Sequence, residues 1–136
     1  MLAHSSEHSG LERFAFGDSP AMADELLDLV LQGRKTATCW AASQGLKGSA
    51  LGARYVVLDG SGAPRAIIES VELVQRRFGE VDATFAAEEG EGDLSHGHWA
   101  VVHRDFFIRE GTYAPDMLLW CERFRLVETF GEGAAQ

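Results

Sequence analysis

The chain has 136 residues, 46% of them hydrophobic, which suits one compact domain with its own core and leaves no room for a second. Twelve Lys and Arg against 21 Asp and Glu give a net charge of -9, which disfavours tight, sequence-independent gripping of a phosphate backbone and makes a small, weakly charged ligand the easier partner. Only Cys39 and Cys121 carry thiols, no charged-then-apolar leader opens the chain, and the longest apolar runs are far too short to cross a bilayer, so a reducing, cytoplasmic setting without disulfide or membrane insertion is expected.

Residues 1–13 read as a flexible N-terminal segment, 14–128 as a single domain, and 129–136 as a flexible tail, because both ends lack apolar periodicity. Ser19 is a plausible N-cap with Pro20 at the first helical position, and Met22, Leu26, Leu29 and Val30 follow at helical spacing until Gly33 ends the helix. Thr36 to Trp40 is a short β-branched and aromatic run that predicts a strand, followed by a long glycine-containing loop over 41–52. Arg54 to Leu58 and Arg65 to Leu73 flank Asp59-Gly60-Ser61-Gly62 and predict a β-hairpin. In its second strand Ile67, Glu69, Val71 and Leu73 share a face, so Glu69 lies in a barrel interior or on the solvent side.

Phe78, Val81, Phe85 and Ala86 predict a helix ending near Gly90, and Trp99, Val102, His103 and Phe106 predict another. Met117 to Val127 predicts a closing strand. This order fits an α+β domain with helices packed beside an antiparallel sheet or small barrel.

Three features carry chemistry. Gly33-Arg34-Lys35-Thr36-Ala37-Thr38 places cations and hydroxyls at a helix-to-strand junction. A lysine acts as a base when desolvation or a neighbouring cation such as Arg34 depresses its pKa, and a threonine becomes a nucleophile with such a base in reach. Side chains three apart on a strand face opposite ways, so Lys35 must belong to the irregular junction to meet Thr38. A surface cation followed by strand-forming threonines is the commoner use of this pattern. The acidic run Glu88-Glu89-Gly90-Glu91-Gly92-Asp93 closes a helix, where carboxylates oppose the macrodipole. It is either a solvated loop or the source of a pocket carboxylate, and its spacing does not fit an EF-hand. Trp40, directly after the hydroxyl motif, offers a ring for stacking on a base if the following loop folds over a pocket. His98 and His103 project roughly 140° apart on a helix, so they form no metal-binding face, and neither metal nor cofactor is expected.

These blocks, together with Trp99 to Phe107 and Cys121-Glu122-Arg123-Phe124, stand in an order that resembles the ASCH domain family, in particular its longer bacterial branch, from about Phe14 to Val127. The resemblance implies a PUA-like small antiparallel β-barrel with flanking helices. It also implies kinship with amidohydrolases that remove acyl groups from the N4 amide of cytidine with a Lys, a Thr and a Glu, which fall here on Lys35, Thr38 and Glu89. Arg34, Trp40, Glu69 and Glu91 are the accompanying substrate-binding candidates. The expected partner is a nucleoside or nucleobase. An RNA-binding module or weak ribonuclease is the alternative, disfavoured by charge unless Arg54, Arg65, Arg76, Arg77, Arg104, Arg109, Arg123 and Arg125 segregate onto one face.

Overall fold

The computed structural model describes residues 11–90 and 95–130; the Glu91 assignment and residues 1–10 and 131–136 of the two ends expected to be flexible lie outside them, while Glu12 and Arg13 stand in a first strand and Thr129 closes the last one. Along the chain run β1 (Glu12–Phe14), α1 (Pro20–Leu31), β2 (Ala37–Ala41), a 3-10 turn (Ala42–Gln44), β3 (Arg54–Leu58), β4 (Pro64–Arg77), a second 3-10 turn (Phe78–Glu80), α2 (Ala83–Glu88), α3 (His96–Glu110) and β5 (Leu118–Thr129). The strands form one curled sheet in the order β1-β3-β4-β5-β2. The architecture is α+β, as the sequence reading expects, with one difference. β1 pairs parallel to β3, so the sheet is mixed rather than antiparallel, a half-barrel with β1 and β2 as its edges.

The local chemistry explains most boundaries. Ser19 Oγ accepts from Met22 N–H at 3.1 Å, capping α1 ahead of Pro20, and α1 buries Ala23, Leu26, Leu27 and Val30. Asp59 Oδ1 accepts from the N–H groups of Ser61 and Ala63 and from the Ser61 hydroxyl, which closes the β3–β4 hairpin. The helix predicted from Phe78 is shorter than its apolar spacing suggests: Phe78–Glu80 is a 3-10 turn, and Asp82, accepting from Phe85 N–H at 2.8 Å, restarts the chain as α2.

β4 and β5 are the backbone of the sheet, and their register slips twice, between Ile67 and Ile68 and between Ser70 and Glu72. The second slip leaves Val71 without a partner, and it is 48% exposed. Ile67, Glu69, Val71 and Leu73 therefore do not keep a common face. The two bulges bend the sheet so that one surface curls around a core of Phe16, Leu27, Val30, Tyr55, Val57, Ile68 and Phe124. Through the other surface, Ala37, Ala41, Leu119 and Cys121 pack under Phe85, Trp99 and Phe107 of α2 and α3. No described helix is long and apolar enough to cross a membrane.

Candidate active site

Lys35 sits in the irregular stretch between α1 and β2, as the spacing argument requires, and is 2% exposed. A hydrogen bond from Phe124 N–H to Thr36 O sets the β2–β5 ladder so that Ala37 O points out from the free edge of β2. Lys35 Nζ donates to that carbonyl at 2.9 Å, to Glu89 O at 3.3 Å and to Glu89 Oε1 at 2.9 Å. Three acceptors around one nitrogen need three protons, so Lys35 rests as an ammonium.

Glu89 is delivered by the end of α2. Thr36 N–H donates to Glu88 O at 2.7 Å, and Gly90, at a φ of +75°, lies so close to the Arg34–Lys35 backbone that a Cβ there would stand 2.5 Å from Arg34 O. Only glycine allows both the turn and the approach. Glu89, 1% exposed, thus faces Lys35 through Oε1, while Oε2 accepts from Trp99 Nε1 at 3.1 Å and lies 3.3 Å from His103 Nε2. His103 Nδ1 donates to Trp99 O at 2.9 Å, and the two rings stack with centroids 4.5 Å apart. Both imidazole nitrogens thereby face acceptors, an arrangement that favours the imidazolium. Burial pushes the Glu89 carboxyl up, but the charges of Lys35 and then His103, with their hydrogen bonds, outweigh it and hold the group well below the usual carboxylate range. Glu88 points elsewhere, accepting from Arg123 Nε at 2.6 Å, so of these two acids Glu89 belongs to the lysine.

Cys39 closes the cluster. Its Sγ, a Glu89 oxygen and a His103 nitrogen lie within 4.8 Å of one another, a mixed donor set of the kind zinc accepts. The Lys35 ammonium on Glu89 opposes a dication there, and burial, then Glu89, raises the Cys39 thiol well above its ordinary value, away from the thiolate a metal needs. Charge compensation by Lys35 and His103 accounts for the cluster as it stands.

Beside this group lies a cavity of about 260 Å³ walled by β1, β2, the following loop, β3, β5 and α3; Lys35, Glu89 and His103 stand behind its wall rather than in it. Thr38 and Cys39 line it, as does Phe16, whose ring centroid is 5.4 Å from Lys35 Nζ. Thr38 and Trp40 alternate with Ala37, Cys39 and Ala41, so they present hydroxyl and indole to the cavity while Cys39 reaches back toward Glu89. Trp40 Nε1 donates to Gly45 O at 2.8 Å, which ties the loop to the ring, and Lys47 and Ser49 of that loop join the wall. Among the described residues Thr38 makes no hydrogen bond to Lys35.

The remaining candidates fall outside. Arg34 is exposed and does not line the cavity, so Glu89 rather than Arg34 governs Lys35. Glu69 accepts from Arg54 at 2.9 Å and from Arg125 at 3.2 Å in a surface network apart from the cavity wall. Six of the eight arginines already hold carboxylates: Arg54 and Arg125 pair with Glu69, Arg65 with Asp59, Arg104 with Asp105, Arg109 with Asp18, and Arg123 with Glu72 and Glu88. Sequence reasoning missed His103 and Glu122. His103 stands four residues after Trp99 on α3, a spacing that puts the two on one helix face. Glu122 sits inside the Cys-Glu-Arg-Phe block, charged among buried neighbours, and lines the cavity at 4% exposure.

Solved structures share the fold. The ASCH domain from Lactobacillus crispatus superposes with a TM-score of 0.78 at 32% identity, covering 93% of this chain and 85% of that one. A protein from Enterococcus faecalis gives 0.84 at 30% identity, covering 99% and 90%. ASCH from Zymomonas mobilis, at 16% identity and a TM-score of 0.55 over 91% and 73%, shows the common fold alone. No curated protein matches the chain at a significant level. The ASCH domain model matches residues 12–128, nearly the whole described fold, and the chain belongs to the ASCH domain family of the PUA-like superfamily.

Proposed function

We propose that the protein is a metal-independent amidohydrolase that removes the acyl group from the N4 amide of N4-acylated cytosine or cytidine. The observation that carries this reading is the buried Lys35–Glu89 contact of 2.9 Å, bordered by Cys39 and Phe16, two residues that also line a cavity whose wall includes Thr38. At about 260 Å³ the cavity falls just below the ~300–1,000 Å³ typical of drug-sized ligands, and its lining, five aromatic side chains among charged and hydroxyl groups, suits a polar aromatic ring such as a pyrimidine.

The resting charges set the order of events. Lys35 rests as an ammonium held by the Glu89 carboxylate, so the acting base is the neutral amine left when that ammonium gives its proton to solvent, and this amine takes the Thr38 proton as Oγ1 attacks the amide carbonyl. The C–O bond forms, Lys35 returns the proton to the departing N4, the C–N bond breaks, and water hydrolyses the acyl-threonine. His103 stabilises Glu89 in its ionised form throughout. The charge reading favours a neutral ligand over RNA, since most of the arginines that would meet phosphates already hold carboxylates.

Ultraviolet-monitored hydrolysis of N4-acetylcytidine and a panel of larger N4-acyl derivatives tests the reading. Turnover that disappears in Thr38→Val supports it; no turnover of any member by the folded parent protein sinks it.

A further inference from the structure

Glu122 has no role in the steps above, yet the fold buries it in the cavity wall. It is 4% exposed, no cation pairs with it among the described residues, and the hydroxyls of Ser49 and Ser70 are what face its carboxyl. Even so, Glu122 Oε2 and Ser70 Oγ are buried without a partner at hydrogen-bonding distance among the described residues. A buried acid left in this state costs stability, and a site facing a cavity is where such a cost finds a ligand.

The register supplies the ligand's position. Glu122 is paired with Thr38 across β2 and β5, so the two side chains leave the same face of the sheet with Cβ atoms about 4.5–5.5 Å apart. Trp40, two residues on, flanks them on that face and supplies a ring for stacking. Burial raises the Glu122 carboxyl above the ordinary carboxylate range, with the two serines working against it, a shift toward the protonated acid. A carboxylic acid offers a donor and an acceptor side by side. A cytosine carrying an N4 substituent offers the complement, the N3 lone pair beside N4–H.

Resting on the amidohydrolase reading, we propose that Glu122 recognises the base: its carboxyl donates to N3 and accepts from N4–H, which sets the N4-acyl carbonyl beside Thr38. Glu122 is then a specificity residue rather than a participant in bond breaking, since it touches the base edge and not the scissile C–N bond.

Titration calorimetry with cytidine, the deacylated product that keeps the N3–N4 edge, separates this proposal from the activity on which it rests. The parent, Glu122→Gln and Glu122→Met proteins are titrated with cytidine and with 3-deazacytidine, which lacks the N3 acceptor, and turnover of N4-acetylcytidine is measured beside them. A Gln side chain reproduces the donor and acceptor, so Glu122→Gln keeps the parent affinity within about threefold, whereas Glu122→Met, losing two hydrogen bonds, weakens cytidine by about tenfold or more. The parent discriminates between cytidine and 3-deazacytidine, and Glu122→Met does not. In turnover the Met variant loses in KM and not in kcat.

Equal cytidine affinity in parent and Glu122→Met, or an unchanged KM in the Met variant, overturns the Glu122 assignment while parent turnover leaves the amidohydrolase reading standing. Cytidine binding that depends on Glu122, with no turnover of any acyl derivative, keeps the assignment and removes the amidohydrolase. Absence of both binding and turnover ends both. Should Glu122→Met fail to fold, the discrimination between cytidine and 3-deazacytidine by the parent and by Glu122→Gln carries the test: no discrimination by either overturns the proposal.

Discussion

Replacing Lys35 with Met keeps the length of the side chain and removes its charge, and the structure sets what this costs. Glu89 is 1% exposed and holds its charge against burial chiefly because Lys35 is 2.9 Å away. Breaking one partner out of a buried ion pair costs about 3–5 kcal/mol, because the survivor is left charged and desolvated. His103 at 3.3 Å and the Trp99 indole remain on Oε2, which places the expected loss near 3 kcal/mol, the lower end of that range. Against a total stability of about 5–15 kcal/mol this is large, and it corresponds to a fall in Tm of roughly 10 °C for a domain of this size. The double variant Lys35→Met with Glu89→Leu removes both charges and is expected to recover most of the loss, since an apolar pair of similar volume is often as stable as a buried salt bridge. Urea denaturation of the parent, both single variants and the double variant forms the cycle that measures the coupling. A coupling below about 0.5 kcal/mol, the level expected of an exposed pair, refutes the reasoning.

Three other outcomes follow from the same geometry. Thr38→Val, at a half-buried position, is expected to leave stability within about 0.5 kcal/mol of the parent and to lower kcat for N4-acetylcytidine at least about 1,000-fold; a loss under tenfold instead makes water the nucleophile. Gly90→Ala forces a Cβ onto a left-handed backbone and to within 2.5 Å of Arg34 O, so its unfolding free energy is expected to fall by at least about 2 kcal/mol, and an unchanged urea midpoint argues against the close docking of α2 on the Lys35 segment. In pH, two groups pull in opposite directions. Glu89, whose folded pKa is lowered, contributes stability that is present above the unfolded value of about 4.3 and is lost as pH falls toward its folded value. Glu122, whose folded pKa is raised, contributes stability that is complete below about 4.3 and is lost as pH rises through its folded value. Glu122→Gln should therefore compare better with the parent at pH 8 than at pH 4, and Glu89→Gln, whose window lies below about 4.3, worse at pH 6 than near pH 2.5; an equal difference at both ends of either window in urea melts contradicts that assignment.

The sequence by itself determined the elements that local chemistry specifies. Ser19-Pro20 and the apolar stripe behind them gave α1, the Asp59 turn gave the hairpin, and short runs of β-branched, aromatic and leucine side chains gave β2 and β5, because caps, turn residues and periodicity act within a few positions. The Lys-Thr block and the acidic run after α2 were legible as chemistry on the same basis, and the motif order pointed to the family that the comparisons show. Tertiary structure decided the rest. A three-residue β1 has no periodicity to read, and its parallel pairing depends on β3, more than 40 residues away. The choice between Glu88 and Glu89 turns on the carbonyl and glycine contacts that dock α2 against 34–36, and the bulge at Val71, which turns that residue outward, on the pairing of β4 with β5. His103 and Glu122 look in sequence like a flank residue and a strand acid. They become site residues only when folding closes their surroundings to water, because a charge that is ordinary in solvent acquires a fixed partner, or the lack of one, only in a low-dielectric interior.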